Sequence, residues 1–544
     1  PNSLQQMIDM QLDRLSAEEQ RVLEAASVAG VEFSAAAVAA GLAQEAEYVD
    51  DWCTSLARRG QFLQTSGERI WPDGTVAGHY GFVHALYQQV LYHRVSAAQR
   101  VRLHQCIGAR LEAAHGAQVG DIAVELAMHF ERGRDAQRTV QYLQQAGQRS
   151  IERSAYVEAV AHLTRGLEVL KTLPDTPERN QQELMLHIDL GAALQITKGN
   201  AAPEVEHAYT QARVLCQQVG ETPELSKALF GLIMFYMGRS QLHTARELGE
   251  TLLHLAQRAH DPALAVIAHF ALGYTCFVLG ALPAARQHME EGIARYIPDQ
   301  CRALAFRTGF DLGIGCRIYT ALTLWLLGYP TQALVHFHEA LALAHELSHP
   351  YSLAFAQSMA ARFYQGLRDV TAVYAHAEAA VALSTEQGFS FWAAWGTILR
   401  GWALAMQGQG EEGMEQVRQG TAAMRATGSV VFVLFCTMLA DVCDHLGRTA
   451  DGLQALAEAH ILVEQQEERN WEAEACRLQG VLLLRQPGTT QEEAEAWLQR
   501  ALDVARRQKA KSLELRAAMS LSRLWQHQGK HTEARALLTP VYGW

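Results

Sequence analysis

The 544-residue chain has little cysteine, little proline and no excess of positive charge. Its nine cysteines are scattered through helical patterns and include no CxxC pair. That usage predicts reduced, buried thiols in a cytoplasmic protein rather than a disulfide framework. Lysine and arginine number 46 against 58 aspartates and glutamates, a net charge of −12. An acidic balance argues against a general affinity for nucleic acid.

Long hydrophobic runs are also missing. No apolar run reaches the ~18–20 residues of a membrane span, and the opening PNSLQQMIDMQLDRLS is too polar for a signal peptide. We therefore predict no membrane partner. The chain begins with Pro1 rather than Met and ends in PVYGW, so we expect it to be part of a longer protein.

What the sequence does contain is a series of turns, mostly about 40 residues apart, a spacing that indicates stacked helix pairs. The turn glycines are Gly280, Gly328, Gly366, Gly408, Gly447, Gly488 and Gly529. Each follows a bulky apolar helix and precedes one rich in alanine. The pattern predicts an all-α fold in which residues 179–544 form a tetratricopeptide-like, right-handed α-solenoid with elongated repeats.

Residues 1–115 follow a different pattern. Helices are predicted at 16–30, 33–42 and 45–60, and further helices at 85–96 and 97–114. Between the third and fourth, QFLQTSG and HYGFVH predict two strands around a loop containing WPDGT. Three helices followed by a two-stranded wing indicate a small winged-helix domain. Residues 116–178 are predicted to be linking helical repeats.

Particular segments carry a family resemblance that covers essentially the whole chain. FVHALYQQVLY (82–92) and VRLHQCIGARLE (101–112) resemble the winged-helix end of the signal-transduction ATPases with numerous domains. LQQMIDMQLDRLSAEEQRVLEAASVAG resembles the junction out of their ATPase module, and LWLLGYPTQAL (324–334) resembles the repeats of bacterial members. Several bacterial members also carry a class III adenylate or guanylate cyclase domain. The resemblance implies a regulatory arm that controls an upstream nucleotide switch.

The resemblance assigns no chemistry to these residues, because the chain has no GxxxxGK[ST] phosphate loop and no cyclase domain. We expect no cofactor here, and ATP or ADP only in the full-length protein. In eukaryotic relatives a Met-His-Asp tripeptide places a histidine against the β-phosphate of ADP. His84 in FVHAL occupies the histidine position, and Ala85 replaces the aspartate. The alternative is a capping histidine at a strand–helix corner.

The first helices of the middle repeats combine aromatic residues with arginine, which predicts a groove for a peptide, a protein or a small ligand. Tyr274, Arg317, Tyr364 and Trp395 are the candidate groove residues because each lies in the middle of a first helix. The arginines on or beside these helices are Arg239, Arg302, Arg307, Arg317, Arg362 and Arg400. The alternative is that the aromatics form inter-repeat core and the arginines face solvent.

Two motifs suggest enzymes. HELSH (345–349) matches the HExxH signature of zinc hydrolases, which needs both histidines on one helical face. Pro350 follows at once and the motif lies at an inter-repeat turn, so we keep zinc hydrolysis only as a minor alternative. GQGEEG (408–413) matches GxGxxG but follows a helix rather than a strand, which argues against a nucleotide site.

Two other functions fit the same architecture. A winged helix could read DNA, but its third helix carries Glu45, Glu47, Asp50 and Asp51 against Arg58 and Arg59. Those carboxylates would repel phosphates, so we predict no nucleic-acid partner. The repeats could instead be a passive scaffold that mediates oligomerisation. The leading prediction remains a sensor arm that shifts between two states when its ligand binds.

Overall fold

The computed structural model of the chain describes residues 8–219, 224–298, 310–428 and 433–542. Within these described ranges the structure forms 26 α-helices and one small sheet, and its helical content is 81%. The all-α prediction is therefore confirmed. The chain divides into two compact units, the first formed by Pro1–Arg153 and Glu158–Leu186, the second by Ser154–Val157 and His187–Trp544.

The first unit begins with the element order of a winged helix. Its elements are α1 (Ala17–Ala29), β1 (Glu32–Ser34), α2 (Ala35–Leu42), α3 (Ala46–Arg59), β2 (Leu63–Ile70) and β3 (Val76–Phe82). The sheet is antiparallel with the order β1-β3-β2, so that β2 and β3 form the wing. Ser16 and Glu19 form a capping box at the start of α1, because each side chain satisfies a backbone N–H of the first turn.

Strand β1 is a correction to the predicted helix at 33–42. Residues 32–34 pair with β3, with Phe33 opposite Tyr80, and α2 begins only at Ala35 with Ser34 as its N-cap. Phe33 is buried and packs on Tyr80 and Phe82, at ring distances of 6.1 and 5.7 Å. A three-residue strand is too short to show the alternation that marks strands in a sequence.

Five more helices lie mostly or entirely in the first unit, followed by one that spans the boundary. They are α4 (Ala85–Arg94), α5 (Ala97–His115), α6 (Ala123–Arg132), α7 (Ala136–Glu152) and α8 (Tyr156–Leu170), then α9 (Pro177–Lys198). One hydrophobic core runs from the winged helix into α6 and α7 and includes Leu23, Phe130 and Tyr142. The first part of the predicted linking repeats therefore shares a core with the winged helix. The predicted three-part division of the chain remains a prediction.

The second unit is a stack of helix pairs. In chain order its further helices are α10 (Pro203–Val219), α11 (Glu224–Gly238), α12 (Leu242–Ala259), α13 (Pro262–Val278), α14 (Leu282–Arg295), α15 (Leu312–Leu327), α16 (Pro330–Leu347), α17 (Pro350–Leu367), α18 (Val370–Gln387), α19 (Ser390–Met406), α20 (Gly410–Ala426), α21 (Val433–His445), α22 (Thr449–Gln466), α23 (Glu472–Leu483), α24 (Gln491–Gln508), α25 (Lys511–His527) and α26 (His531–Tyr542). Odd-numbered helices from α9 onward are the first helices of the pairs, and even-numbered helices are the second. The described residues beyond Asp121 form no strand.

The predicted turn glycines are correct with one exception. Six of them adopt positive φ angles, the conformation that glycine tolerates best. They are Gly280, Gly328, Gly408, Gly447, Gly488 and Gly529. Gly366 instead lies inside α17, and the turn falls on Arg368, whose φ is 62°. A side chain at Gly366 would meet the Trp325 ring at 3.1 Å, so this glycine makes room for a neighbouring helix.

Candidate functional site

A cavity of about 70 Å³ lies inside the second unit. Its wall takes residues from the first helices α9, α11, α13, α15, α17 and α19, together with two residues that precede or follow helices. Within the described ranges, no residue of a second helix lines it. One lining residue from each helix is Ile196, Met234, Tyr274, Tyr319, Phe355 and Trp395. The space suits about five water-sized groups, so it accepts a small molecule or one end of a larger one.

The cavity wall is a network of edge-to-face and tilted aromatic contacts. Tyr274 and Tyr319 meet at a ring distance of 5.0 Å and an interplanar angle of 85°. Phe355 links Phe310 to Trp392, at 4.9 and 5.3 Å. Such contacts fix the rings of neighbouring repeats against one another. The cavity is therefore apolar and largely pre-formed.

Two of the four predicted groove residues line this cavity. Tyr274 is half-buried and faces the cavity between α13 and α15. Trp395 is buried, lines the cavity from α19 and packs edge-to-face on Phe435 at 4.7 Å. Both side chains therefore pack against neighbouring helices and also expose part of their ring to the cavity, where a ligand can contact it. Their binding role remains a prediction.

The other two predicted groove residues contact second helices instead. Arg317 lies over the Tyr296 ring at 5.4 Å and comes within 3.8 Å of Glu339 of α16. Tyr364 stacks on His376 of α18, with ring centroids 5.4 Å apart. A central position in a first helix does not specify which side a residue faces. The spacing of three or four residues seen in Tyr351, Phe355 and Met359 or in Phe270 and Tyr274 marks the cavity side, and the sequence contains that signal.

Of the predicted arginines that the structure describes, Arg362 alone lines one of these cavities. Arg400 pairs with Glu378 at 2.7 Å, and Arg239 donates to the backbone oxygen of Gly428 at 3.3 Å. Arg302 and Arg307 lie outside the described residues. Arg362 borders a second cavity of about 40 Å³, which shares Tyr274, Tyr319, Met359 and Trp395 with the first. The two cavities therefore adjoin.

The second cavity adds polar side chains to the aromatic wall. Glu468, Asn470 and Trp471 enter it from the segment before α23, whose backbone N–H groups at Arg469 and Asn470 donate to Val278 O at 2.9 and 3.1 Å. Arg362 is only 3% exposed and lies 4.3 Å from the centre of the Trp471 ring. Burial lowers the pKa of Arg362 to about 9 and raises the pKa of Glu468 to about 8. Neither Glu468 nor Asn470 was identified from the sequence.

A buried ion-pair network lies on the first helices beyond this cavity. Arg477 donates to both carboxylate oxygens of Glu474 at 2.9 and 2.8 Å, and Arg516 donates to Glu474 at 3.0 Å. At the exposed turn after α17, Arg368 donates to both carboxylate oxygens of Asp441, to one of them at 2.8 Å. Burial alone would raise the pKa of Glu474, but the charges of Arg477 and Arg516 outweigh it and hold that pKa well below its usual range. These arginines are neutralised within the fold.

The winged helix places His84 at a strand–helix corner. Its side chain is exposed and caps α4, because Nδ1 accepts a hydrogen bond from the Leu86 N–H at 3.0 Å. The capping alternative therefore describes its local role. A contact with nucleotide in a longer protein remains a prediction.

HELSH does not form a zinc-hydrolase helix. Helix α16 ends at Leu347, Ser348 adopts a left-handed conformation with φ of 50°, and His349 is the N-cap of α17. His345 is exposed while His349 is buried, where burial lowers its pKa to about 4. The two histidines thus do not share a helical face. Within the described residues, no group of three or more histidine, cysteine, aspartate or glutamate side chains is placed to bind a metal ion.

GQGEEG serves helix packing. Gly408 is a turn residue, whereas Gly413 lies where α20 crosses α19. A side chain at Gly401 of α19 would lie 2.6 Å from Gly413 O, so the two backbones approach too closely for any other residue. The glycines therefore account for a close helix crossing rather than for a nucleotide site.

The fold and the cavity define a helical-repeat protein with a small winged-helix-like domain. No family model matches the chain. It is similar to an uncharacterized protein of Rhizobium meliloti (strain 1021), at 23% identity over 540 residues, which cover 96% of this chain and 50% of that protein. The chain thus spans about half the length of that relative. No helix among the described residues combines the length and apolar character needed to cross a bilayer.

Solved structures with similarity include a Rap protein complexed with competence and sporulation factor. It has a TM-score of 0.45 and 14% identity, and the match covers 73% of this chain and 99% of that chain. The apo form of the quorum sensor NprR from B. thuringiensis has a TM-score of 0.40 and 13% identity, with coverages of 68% and 99%. The Cut9–Hcn1 hetero-tetramer of the APC/C has a TM-score of 0.39 and 11% identity, with coverages of 81% and 92%.

Proposed function

We propose that the second unit is the sensor domain of a larger regulatory protein, and that it takes a small ligand, or one end of a peptide or protein partner, into the cavity lined by first helices. The observation that carries this proposal is the convergence of six first helices, α9, α11, α13, α15, α17 and α19, on one aromatic cavity. A ligand there would contact several repeats at once. It would favour the arrangement of repeats that fits it best, which is how binding shifts a conformational equilibrium.

The proposal extends to the full-length protein. An upstream ATPase module would be the switch, and the winged helix would hold it closed until the sensor binds its ligand. His84 suits a nucleotide contact because its Nδ1 already accepts the cap hydrogen bond. In the neutral ring the proton is then on Nε2, which can donate to a phosphate oxygen.

The experiment compares two matched tyrosines in the chain. Tyr274 lines the cavity and Tyr364 faces second helices, yet both are half-buried in first helices. A screen of small molecules and peptides for ligands that raise the melting temperature would supply a binder. We expect Tyr274→Ala to reduce that ligand's affinity about tenfold or more, and Tyr364→Ala to leave it nearly unchanged. A passive scaffold would give no ligand-induced shift, and equal effects of the two variants would place the binding site elsewhere.

A further inference from the structure

We propose that the ligand of this cavity is a small organic acid with an apolar or aromatic body and one carboxylate, and that Arg362 pairs with the carboxylate. This inference rests on the proposed sensor function and names the chemical class of its ligand. The first cavity supplies the apolar surface and the adjoining second cavity supplies Arg362.

Arg362 is a buried cation without a hydrogen-bonding partner for part of its guanidinium. It lies in the middle of α17 and is 3% exposed, and its Nη1 has no hydrogen-bond partner among the described residues. Its guanidinium lies over the face of the Trp471 ring. Buried charges are ordinarily paired because desolvation is costly. Arg477 and Arg516 on nearby first helices both follow that rule, so Arg362 differs from these neighbours.

The nearest carboxyl group does not neutralise Arg362. The ion pairs within the described part of the chain include none between Arg362 and Glu468, and Glu468 Oε2 instead accepts the Val433 N–H at 3.2 Å. Burial raises the pKa of Glu468 to about 8, so its carboxyl group is mostly protonated at neutral pH. The second cavity therefore contains a buried guanidinium N–H group that can donate to the carboxylate of a ligand.

The surroundings favour a single carboxylate over a more highly charged group. One guanidinium offers one positive charge, and a dianion such as phosphate would leave one negative charge uncompensated beside Glu468. Asn470 lines the same cavity, is 5% exposed, and its Oδ1 has no hydrogen-bond partner among the residues described. Rotation of this amide by half a turn presents its NH₂ group instead, because the oxygen and the NH₂ group have nearly the same size and shape. Arg362 and Asn470 can then both donate to one carboxylate.

The test uses phenylacetate, 3-phenylpropionate and 4-phenylbutyrate, each compared with its neutral primary amide by calorimetry on the wild-type chain. We expect at least one acid to bind about tenfold more tightly than its amide. In Arg362→Met we expect the acid to lose that advantage while the affinity for the amide stays nearly the same. Arg317→Met is the matched control, because Arg317 lies in a first helix but lines neither cavity. It should keep the preference for the acid.

The outcomes separate this inference from the proposed function. If each acid bound no more tightly than its amide, and Arg362→Met changed neither affinity, the inference would be overturned. The proposal of a sensor cavity would still stand. The inference would also be overturned if no acid bound while the screen yielded a neutral ligand. Failure of every acid, amide and screened compound would overturn both proposals. If Arg362→Met did not fold, the wild-type comparison of acid with amide and the variant Arg362→Lys would test the inference instead. We expect Arg362→Lys to retain only part of the preference for the acid over its amide, because lysine lacks the two parallel N–H donors of arginine.

Discussion

The first and second helices of the repeats differ in how much of their surface is buried. In α15 every residue except Arg317 and Tyr319 is buried, whereas α16 buries only Ala333, Phe337, Ala340 and Ala344. The second helix thus shows one narrow stripe, because it packs on one side only. The first helix is enclosed on all sides. The aromatic cavity therefore lies between first helices, and the second helices pack against them.

The first helices also differ along the unit. From α13 to α19 their enclosed side is aromatic and surrounds the cavity, whereas from α21 to α25 it carries the ion-pair network around Glu474. Arg362 lies between these two regions. Unlike the aromatic residues of the cavity it is charged, and unlike the arginines of the network it has no ion-pair partner among the described residues.

The largest effect is expected at the anchor of a second helix. Phe337 is fully buried in the stripe of α16 and stacks on Phe363 at 4.7 Å. We expect Phe337→Ala to lower the free energy of unfolding by about 3–5 kcal/mol, because it leaves a cavity in the core. Urea unfolding measures this. Val335→Ala is the control, since Val335 is 54% exposed on the same helix; similar losses for both would contradict the one-sided packing of second helices.

A smaller effect is expected where two helices cross closely. Gly413 faces α19 without room for a side chain. We expect Gly413→Ala to destabilise the chain by about 1–3 kcal/mol, because the helices must separate. Glu415→Ala, at an exposed position of the same helix, should change stability by less than about 0.5 kcal/mol. A neutral Gly413→Ala would show that the crossing is looser than described.

Glu468 should make stability depend on pH. Its folded pKa, raised by burial to about 8, exceeds the value of about 4.5 for an unburied glutamate. The folded chain therefore holds a proton that the unfolded chain has lost, and this group's contribution to stability falls as pH rises between those values. We expect Glu468→Gln to flatten the pH dependence of unfolding over that range, by up to about 1.4 kcal/mol per pH unit. Parallel curves for variant and wild type would contradict the buried, protonated carboxyl group.

The smallest effect is expected at the winged helix. His84→Ala removes the cap of α4 and should cost about 0.5–1 kcal/mol, whereas His84→Asn should retain the cap and nearly all stability. Thermal unfolding measures this difference. In the full-length protein both variants should bind nucleotide more weakly if His84 contacts phosphate. Normal nucleotide binding by His84→Asn would leave His84 with a capping role alone.

The helices of both units were predictable because their signals are local. Turn glycines such as Gly328 and the capping residue Ser16 act within a few residues of themselves. Strand β1 was missed because its pairing partner lies in β3, far along the chain. Tyr274 and Tyr364 both lie in the middle of a first helix, and that position alone does not show that Tyr274 faces the cavity while Tyr364 faces a second helix. The direction each side chain faces depends on which helices surround α13 and α17. Arg362 was recognised as a first-helix arginine, but its missing partner is visible only in the structure.

The most direct measurement of the central claim is photolabelling of the wild-type chain with an aromatic carboxylate that bears a diazirine, followed by mass spectrometry of the labelled peptides. We expect the labels on cavity residues of first helices, such as Met234, Tyr274 and Met359, and we expect excess unreactive acid to suppress them. Labels confined to second helices such as α16 and α18, or labels that competitor does not reduce, would contradict a ligand site between the first helices.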